Sequence, residues 1–277
     1  MAAPEPAAPA LPLPLPTPIP EFVAPAAWQA IDFISDLHLS EGTPHGFAAW
    51  AGHLRHTPAD AVFILGDLFE AWVGDDLAGR GFEARCARVL AEASAARTIA
   101  FMAGNRDFLL GDAMLRASGV LRLHDPTLLN AFDGRVLLTH GDALCLGDTA
   151  YQRYRAVVRR PWVQRVFLAL PLHWRLGVGR ALRRSGRRAD AGPMRLVDVD
   201  PAASAGWLRG ADVPILVHGH THAPASHPLA GGAVRHVLSD WDLDGPGPPR
   251  AEVLRWDAGG FRRIAPSGPD DAIAGAP

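Results

Sequence analysis

Five short strings in this chain carry residue types that bind divalent cations. They are Asp36-x-His38, Gly66-Asp67, Gly104-Asn105-Arg106-Asp107, His140-Gly141-Asp142 and His218-Gly219-His220-Thr221-His222. Carboxylate, amide and imidazole donors without thiolate suit Mn2+, Fe2+ or Zn2+ better than Ca2+. The set is large enough for two ions. Asp36 and His38 suit the first, Asn105 and His140 the second, and Asp67 a bridge between them, with His220 and His222 in reach of one or both. Two such ions held about 3.5–4 Å apart activate water and clamp both oxygens of an in-line displacement at phosphorus. Each string alone is as readily a turn as a ligand. Their weight lies in recurring five times, each time at the end of an apolar run.

Those apolar runs are the elements that must position the ligands. Ile31–Ser35, Ala61–Leu65, Thr98–Met102 and Ile215–Val217 read as buried strands, each ending at one of the strings. Thr127–Phe132 and Arg135–Thr139 flank Asp133-Gly134, which predicts a hairpin whose second strand delivers His140. Residues at i and i+2 in extended geometry point the same way, so Asp36 with His38, and His220 with His222, are expected to share a face. Helices are expected over Gly46–His56, Phe82–Ala96, Phe108–Ser118 (closed by Gly119) and from Asp200-Pro201 to Gly210. Ala233–Ser239, Ala251–Trp256 and Phe261–Ile264 read as closing antiparallel strands. The pattern is α/β.

Between Tyr151 and Asp190 the composition changes. Eleven arginines (153, 155, 159, 160, 165, 175, 180, 183, 184, 187 and 188) stand against one acid, Asp190, and are interleaved with Trp, Phe, Leu and Val. This predicts a helical insertion over about 149–192, broken at Pro161 and Pro171. It reads as a solvated basic face, as a nucleic-acid surface, or as an amphipathic layer that receives acyl chains and rests on anionic lipid; the aliphatic interleaving is heavier than a nucleic-acid groove needs.

The bulk numbers narrow the class. The chain has 277 residues, 48% of them apolar, and a formal charge of −2. A globally basic nucleic-acid binder is excluded, although a local patch is not. All 27 basic residues are arginine, so lysine Schiff-base and P-loop chemistry is absent. Two cysteines give no disulfide framework. Residues 1–28 are rich in Pro and Ala, and 266–277 are similar; both are expected to be disordered tails around a domain at 29–265. The first tail lacks a positive n-region, which argues against a signal peptide, and no run of 18 apolar residues predicts a membrane span.

The five strings together resemble the calcineurin-like metallophosphoesterase superfamily. The longer strings, Gly66–Asp76 (GDLFEAWVGDD), Gly104–Gly111 (GNRDFLLG), His140–Cys145 (HGDALC) and His218–His222 (HGHTH), are similar to its UDP-2,3-diacylglucosamine diphosphatase family, over about residues 30–257. The resemblance implies a four-layer α/β/β/α sandwich with the inserted helices as a lid over acyl chains. It implies two Mn2+ ions on Asp36, His38, Asp67, Asn105, His140, His220 and His222. It also implies a cytoplasmic enzyme, peripheral on the inner membrane, that cleaves a UDP-linked diacyl glucosamine lipid in lipid A biosynthesis. Asn105, Arg106 and His220 would be catalytic and touch substrate, and Asp148 and Ser185 match substrate-contact positions. Four and seven residues after Ser185, where the family often has polar or basic residues, this chain has Ala189 and Gly192. Many superfamily members carry His where Arg106 stands. Arginine cannot protonate a leaving group at neutral pH, which suits a phosphate leaving group that needs no proton. Arg106 would then bind phosphate oxygens; the other reading is a structural pair with Asp107 or another carboxylate. A different dinuclear phosphodiesterase, a non-catalytic scaffold of the same fold and a nucleic-acid-binding module are the rival functions.

Overall fold

The structure is a computed structural model that describes residues 14–190 and 197–268, the side chains of residues 182–190 excepted. Two six-stranded sheets form its centre. One is ordered β12-β11-β2-β3-β4-β5, with β2 Ala30–Ile34, β3 Ala61–Leu65, β4 Thr98–Met102, β5 Leu121–Leu123, β11 Val253–Asp257 and β12 Gly260–Ile264. The other is ordered β1-β6-β7-β8-β10-β9, with β1 Glu21–Val23, β6 Thr127–Ala131, β7 Gly134–Thr139, β8 Ile215–His218, β9 Ala225–Pro228 and β10 Val234–Val237.

Strand alternation sorts the apolar residues into layers. Ile31, Phe33, Ala61, Phe63, Leu65, Ala100 and Met102 of the first sheet meet Leu129, Ala131, Val136, Leu138 and Val217 of the second in one inter-sheet core. Their neighbours Val62, Ile64, Ile99 and Phe101 face outward into a second core with α1 (Pro44–His56), α2 (Gly81–Ser94) and α3 (Asp112–Ser118). On the opposite outer face, Leu128, Leu137 and Leu216 pack with Trp207 and Leu208 of α7 (Pro201–Ala211). Period-two alternation with both faces apolar is what a strand buried on both sides requires. The result is the expected α/β/β/α sandwich. Strands β2, β3 and β4 are parallel, and so are β7 and β8, which brings their C-terminal ends to one edge.

Several expectations need correction. Residues 14–28 are not a free tail. β1 pairs in parallel with β6, Glu21 opposite Leu128, because the outer edge of β6 is otherwise unpaired. Phe22 enters the inter-sheet core, its ring 5.3 Å from Phe63 and 5.9 Å from Trp28, while Leu15 and Ile19 pack toward α7. Residues 1–13 lie outside the described residues. At the other end, Ser267 N–H donates to His53 Nδ1 at 3.1 Å, so the fold runs past 265. The hairpin turn is Phe132-Asp133, both with positive φ of 50° and 59°, and Gly134 already pairs with Ala131. Gly134 is needed for close approach, since a Cβ there would sit 2.9 Å from Trp256. Helix α3 starts at Asp112 rather than Phe108, because Asp75 accepts from Gly111 N–H and Met114 N–H and fixes its first turn. The short strands β1, β5 and β9 were not legible from periodicity.

The insertion folds as three helices: α4 Thr149–Val158, α5 Pro161–Leu168 and α6 Leu172–Asp190. Pro161 is the first residue of α5 and Pro171 directly precedes α6, as breaks there require. Not all its arginines are solvated. Arg175 is buried, with hydrogen bonds to the carbonyls of Val73 and Leu170 and an ion pair with Asp76.

Candidate metal centre

The strand-end loops converge as the strings suggest, by a different local geometry. Asp36, His38, Asp67, His220 and His222 all have positive φ, between 48° and 70°. None of the five is extended. Left-handed backbone in non-glycine residues is uncommon and clusters at functional sites. Here it turns each chain sharply as it leaves its strand, so that ligand side chains fold back toward one point. Gly66, with φ 93°, permits a close approach: a Cβ there would lie 2.5 Å from His140 Nδ1.

Two groups of potential ligand atoms result, each within 4.8 Å of one another: Asp36, His38 and His222, and Asp36, Asp67 and His140. Asp36 belongs to both groups. The ligand atoms are aimed by neighbours. His140 Nδ1 faces the Leu65 carbonyl at 2.9 Å, which fixes the tautomer and leaves Nε2 toward the site. Asn105 Oδ1 lies 2.9 Å from both His140 Nε2 and His220 Nδ1. Asp67 Oδ1 accepts from Arg106 N–H at 2.8 Å. Asp36 Oδ2 accepts from Ser35 Oγ at 2.5 Å and His220 N–H at 2.8 Å, while Asp36 Oδ1 is buried with no hydrogen-bond partner among the described residues.

The electrostatics ask for a cation. Burial pushes Asp67 up to about 7; His140 opposes that, and the nearby Asp107 and Asp36 carboxylates add to it. Burial depresses His140, but Asp67, Asp142 and Asp36 overcome this and raise it to about 9. Burial lowers His38 and His220 to about 3, the neutral form a metal needs. Burial would raise Asp36, yet His222, His140 and His38 hold it below the usual carboxylate range. Buried carboxylates and imidazole lone pairs converge here with an orphaned carboxylate oxygen among them. These residues fit divalent cations.

The sequence reads Asp107 and Asp142 as acceptors for ligating histidines and His218 as pointing the same way as His220; the structure places all three otherwise. Asp107 does not support a histidine. It accepts from the backbone N–H groups of Asp67, Leu68, Phe69 and Gly104, at 2.7–3.4 Å, and so ties two ligand loops together. Asp142 accepts from Tyr151 and Arg155 instead of a ligating imidazole. His218 faces the other way, its Nδ1 on the Gly219 carbonyl, and belongs to neither group. Asp148 caps α4, accepting from Tyr151 N–H at 2.9 Å. The side chains of Ser185 and Ala189 lie outside the described residues, and so does Gly192. Among the described residues no carboxylate pairs with the Arg106 guanidinium, and Asp107 is already committed to backbone. Glu70 and Tyr151, which no sequence motif singled out, stand close by: Glu70 Oε2 is 3.7 Å from His38 Nδ1, and the Tyr151 ring centroid is 5.9 Å from that of His220.

A cleft of about 400 Å³ opens from Asn105 and Arg106. Its floor is Trp72, Val73, Phe108 and Leu109, and its roof comes from Tyr154, Val158, Val163, Phe167 and Val178 of the three inserted helices. Charge sits at one end and apolar surface along the rest.

Comparison with known proteins agrees with this geometry. Residues 30–224 match the family model for calcineurin-like phosphoesterases. The chain belongs to the calcineurin-like phosphoesterase family. That family is metal-dependent, and the Asp/His groups described above are where this member could hold metal. Among curated calcineurin-like relatives, the UDP-2,3-diacylglucosamine hydrolase of Ralstonia nicotianae is 45% identical over 82% of this chain and 89% of the relative. The protein of that name from Bordetella parapertussis is 43% identical over 82% and 92%. The one from Escherichia coli O81 is 40% identical over 77% and 91%.

Proposed function

We propose that this chain hydrolyses the pyrophosphate bond of UDP-2,3-diacylglucosamine to UMP and 2,3-diacylglucosamine 1-phosphate, a step of lipid A biosynthesis. The observation that carries the reading is the cleft. A phosphate-seeking end at Asn105 and Arg106 runs directly into an apolar trough under α4–α6, which matches a substrate with a pyrophosphate and two acyl chains. The names and identities of the relatives support it.

Asp36, His38, Asp67, Asn105, His140, His220 and His222 would hold two divalent cations, with Mn2+ the ion proposed. Bound there, such ions supply Lewis-acid polarisation of the phosphoryl group and activation of water. The chain's own part is positioning. Arg106 offers a guanidinium with no carboxylate partner among the described residues to the phosphate oxygens as charge builds on them. Asn105 and His220 flank the same oxygens. The leaving phosphate needs no proton, so the missing general acid at position 106 costs nothing. Asp148, at the start of α4, and Ser185 are proposed to touch the sugar–nucleotide part.

The insertion serves in this reading as a lid and as the membrane-facing surface. Trp162 and Val166 on α5 are each 61% exposed, as is Trp174 on α6, with Arg160, Arg165 and Arg180 exposed around them. Exposed tryptophan, with arginines that make no ion pair among the described residues, suits an anionic bilayer surface. Among the described residues no helix is long and apolar enough to cross a membrane. Peripheral attachment to the cytoplasmic face of the inner membrane follows as the proposal.

The test is hydrolysis of UDP-2,3-diacylglucosamine with Mn2+ and with chelator, beside bis(p-nitrophenyl) phosphate. Metal-dependent UMP release with little turnover of the generic diester supports the reading. Turnover of the generic diester alone would retract the substrate and leave another dinuclear phosphodiesterase. Failure to bind metal would leave the non-catalytic scaffold.

A further inference from the structure

The carboxylate of Asp142 is fully buried, and neither metal group contains it. Helix α4 is built onto it. Asp142 Oδ2 accepts from Tyr151 Oη at 2.6 Å and from Arg155 Nε at 2.8 Å, with Arg159 Nη2 at 3.5 Å. Gln152 Nε2 donates to the Asp142 carbonyl at 2.7 Å and to that of Cys145 at 3.1 Å. Positions 151, 155 and 159 are spaced by four, so one face of the helix points every polar group at one residue. No residue of α4 is fully buried, so apolar packing alone does not fix this helix.

The same side chains touch the metal-centre loops. Arg159 Nη2 donates to the Gly104 carbonyl at 2.8 Å, next to Asn105, and its guanidinium carbon lies 5.2 Å over the Phe108 ring of the cleft floor. Tyr151 stands beside His220. The remaining residues of α4 at the cleft, Tyr154 and Val158, form part of its roof. A buried ion pair is weak evidence for stability, but its directional bonds fix geometry.

We propose that Asp142 is a positioning residue. It pins α4 at a fixed height above Asn105 and Arg106, and so sets the preference for a phosphoanhydride bearing apolar chains over a bare phosphodiester. The lipid half of this inference rests on the proposed function; the anchoring half does not.

Two variants test it, Arg155→Met and Asp142→Asn. Arg155 lines neither the cleft nor a metal group. Hydrogen exchange of the α4 amides should quicken by about tenfold or more in both variants, because a helix freed from its anchor opens locally more often. In Arg155→Met, KM for UDP-2,3-diacylglucosamine should rise about tenfold with kcat within about twofold, while turnover of bis(p-nitrophenyl) phosphate and Mn2+ content stay unchanged. Arg155→Lys should recover part of the KM. Unaltered α4 exchange in both variants would overturn the anchor. Equal loss on both substrates would overturn the role in specificity and leave a general structural one. Were the wild type to cleave only the generic diester, the lipid reading would fall and take the specificity half with it, with the exchange measurement still deciding the anchor.

Discussion

The Nε2 atoms of His38 and His222 stand 3.3 Å apart, ring to ring, at the ends of β2 and β8. They come from strings 184 residues apart, and two imidazole lone pairs face each other at that distance only around a proton or a cation. Each ring's other nitrogen looks back at a carboxylate, Glu70 at 3.7 Å for His38 and Asp240 at 3.8 Å for His222. Asp36 Oδ1, 3.5 Å from His222 Nε2, completes the group and has no hydrogen-bond partner among the described residues.

Because Asp36 joins both ligand groups, its loss should empty both. Asp36→Ala is expected to reduce bound Mn2+ to near zero and to cost several orders of magnitude in UMP release. His222→Ala should keep metal at the Asp67–His140 side. Metal analysis of the purified variants beside wild type checks this; full metal content in Asp36→Ala would contradict it. Mn2+ should also raise the melting temperature of the wild type, since a ligand that binds only the folded state stabilises it.

Arg106 should matter to turnover more than to folding. Its guanidinium has no carboxylate partner among the described residues, so Arg106→Ala leaves no buried charge behind. Loss of a donor to developing phosphate charge costs about 10²–10³ in kcat. Arg106→Lys should restore little, because one ammonium cannot replace a planar fork. A melting temperature that drops by many degrees in Arg106→Ala would mark a structural role instead.

Asp32 supplies a pH signature. It is completely buried on β2 and takes a bidentate pair from Arg255 at 2.6 and 2.8 Å, with Thr57 Oγ1 at 2.5 Å. Burial alone would raise it; Arg255, His53 and Thr57 outweigh burial and hold it near 2 against an ordinary 3.8. The folded value lies below the unfolded one, so the contribution is fully present above pH 3.8 and is lost as pH falls toward 2. Acid unfolding of the wild type should steepen across that window and flatten in Asp32→Asn. Arg255→Met, which strands the buried carboxylate, should cost about 3–5 kcal/mol at neutral pH by denaturant titration.

The segment before residue 30 should be part of the stable fold. Phe22 fills the space between Phe63 and Trp28, so Phe22→Ala removes a ring from the inter-sheet core. A loss of about 2 kcal/mol is expected for this half-buried ring, equivalent to roughly 4–8 °C in melting temperature for a domain of this size. An unchanged melting temperature in Phe22→Ala would show that β1 contributes nothing.

Some of this molecule was written in the order of its residues. Apolar runs ending in Asp36, Asp67, Asn105, His140 and His220 were legible because burial on both faces leaves a continuous apolar signal, and because ligand chemistry restricts which residues can follow. The family, the layered α/β fold and the three-helix insertion were within reach of the same signals. Other features depend on atoms brought together from distant positions. That Asp36 is shared between the two ligand groups comes from left-handed turns after β2, β3 and β8, which no local pattern encodes. The pairing of β1 with β6 needed an open sheet edge that exists only once both sheets are formed. In sequence Asp142 reads as an acceptor for a ligating histidine, and Arg155 and Arg175 as members of a basic stretch. They became anchors because the insertion folds back over the sheets and buries those charges against carboxylates and carbonyls. Sequence specified which residues could do chemistry; tertiary packing decided which of them meet, since distance and burial are properties of the assembled layers and not of the chain's order.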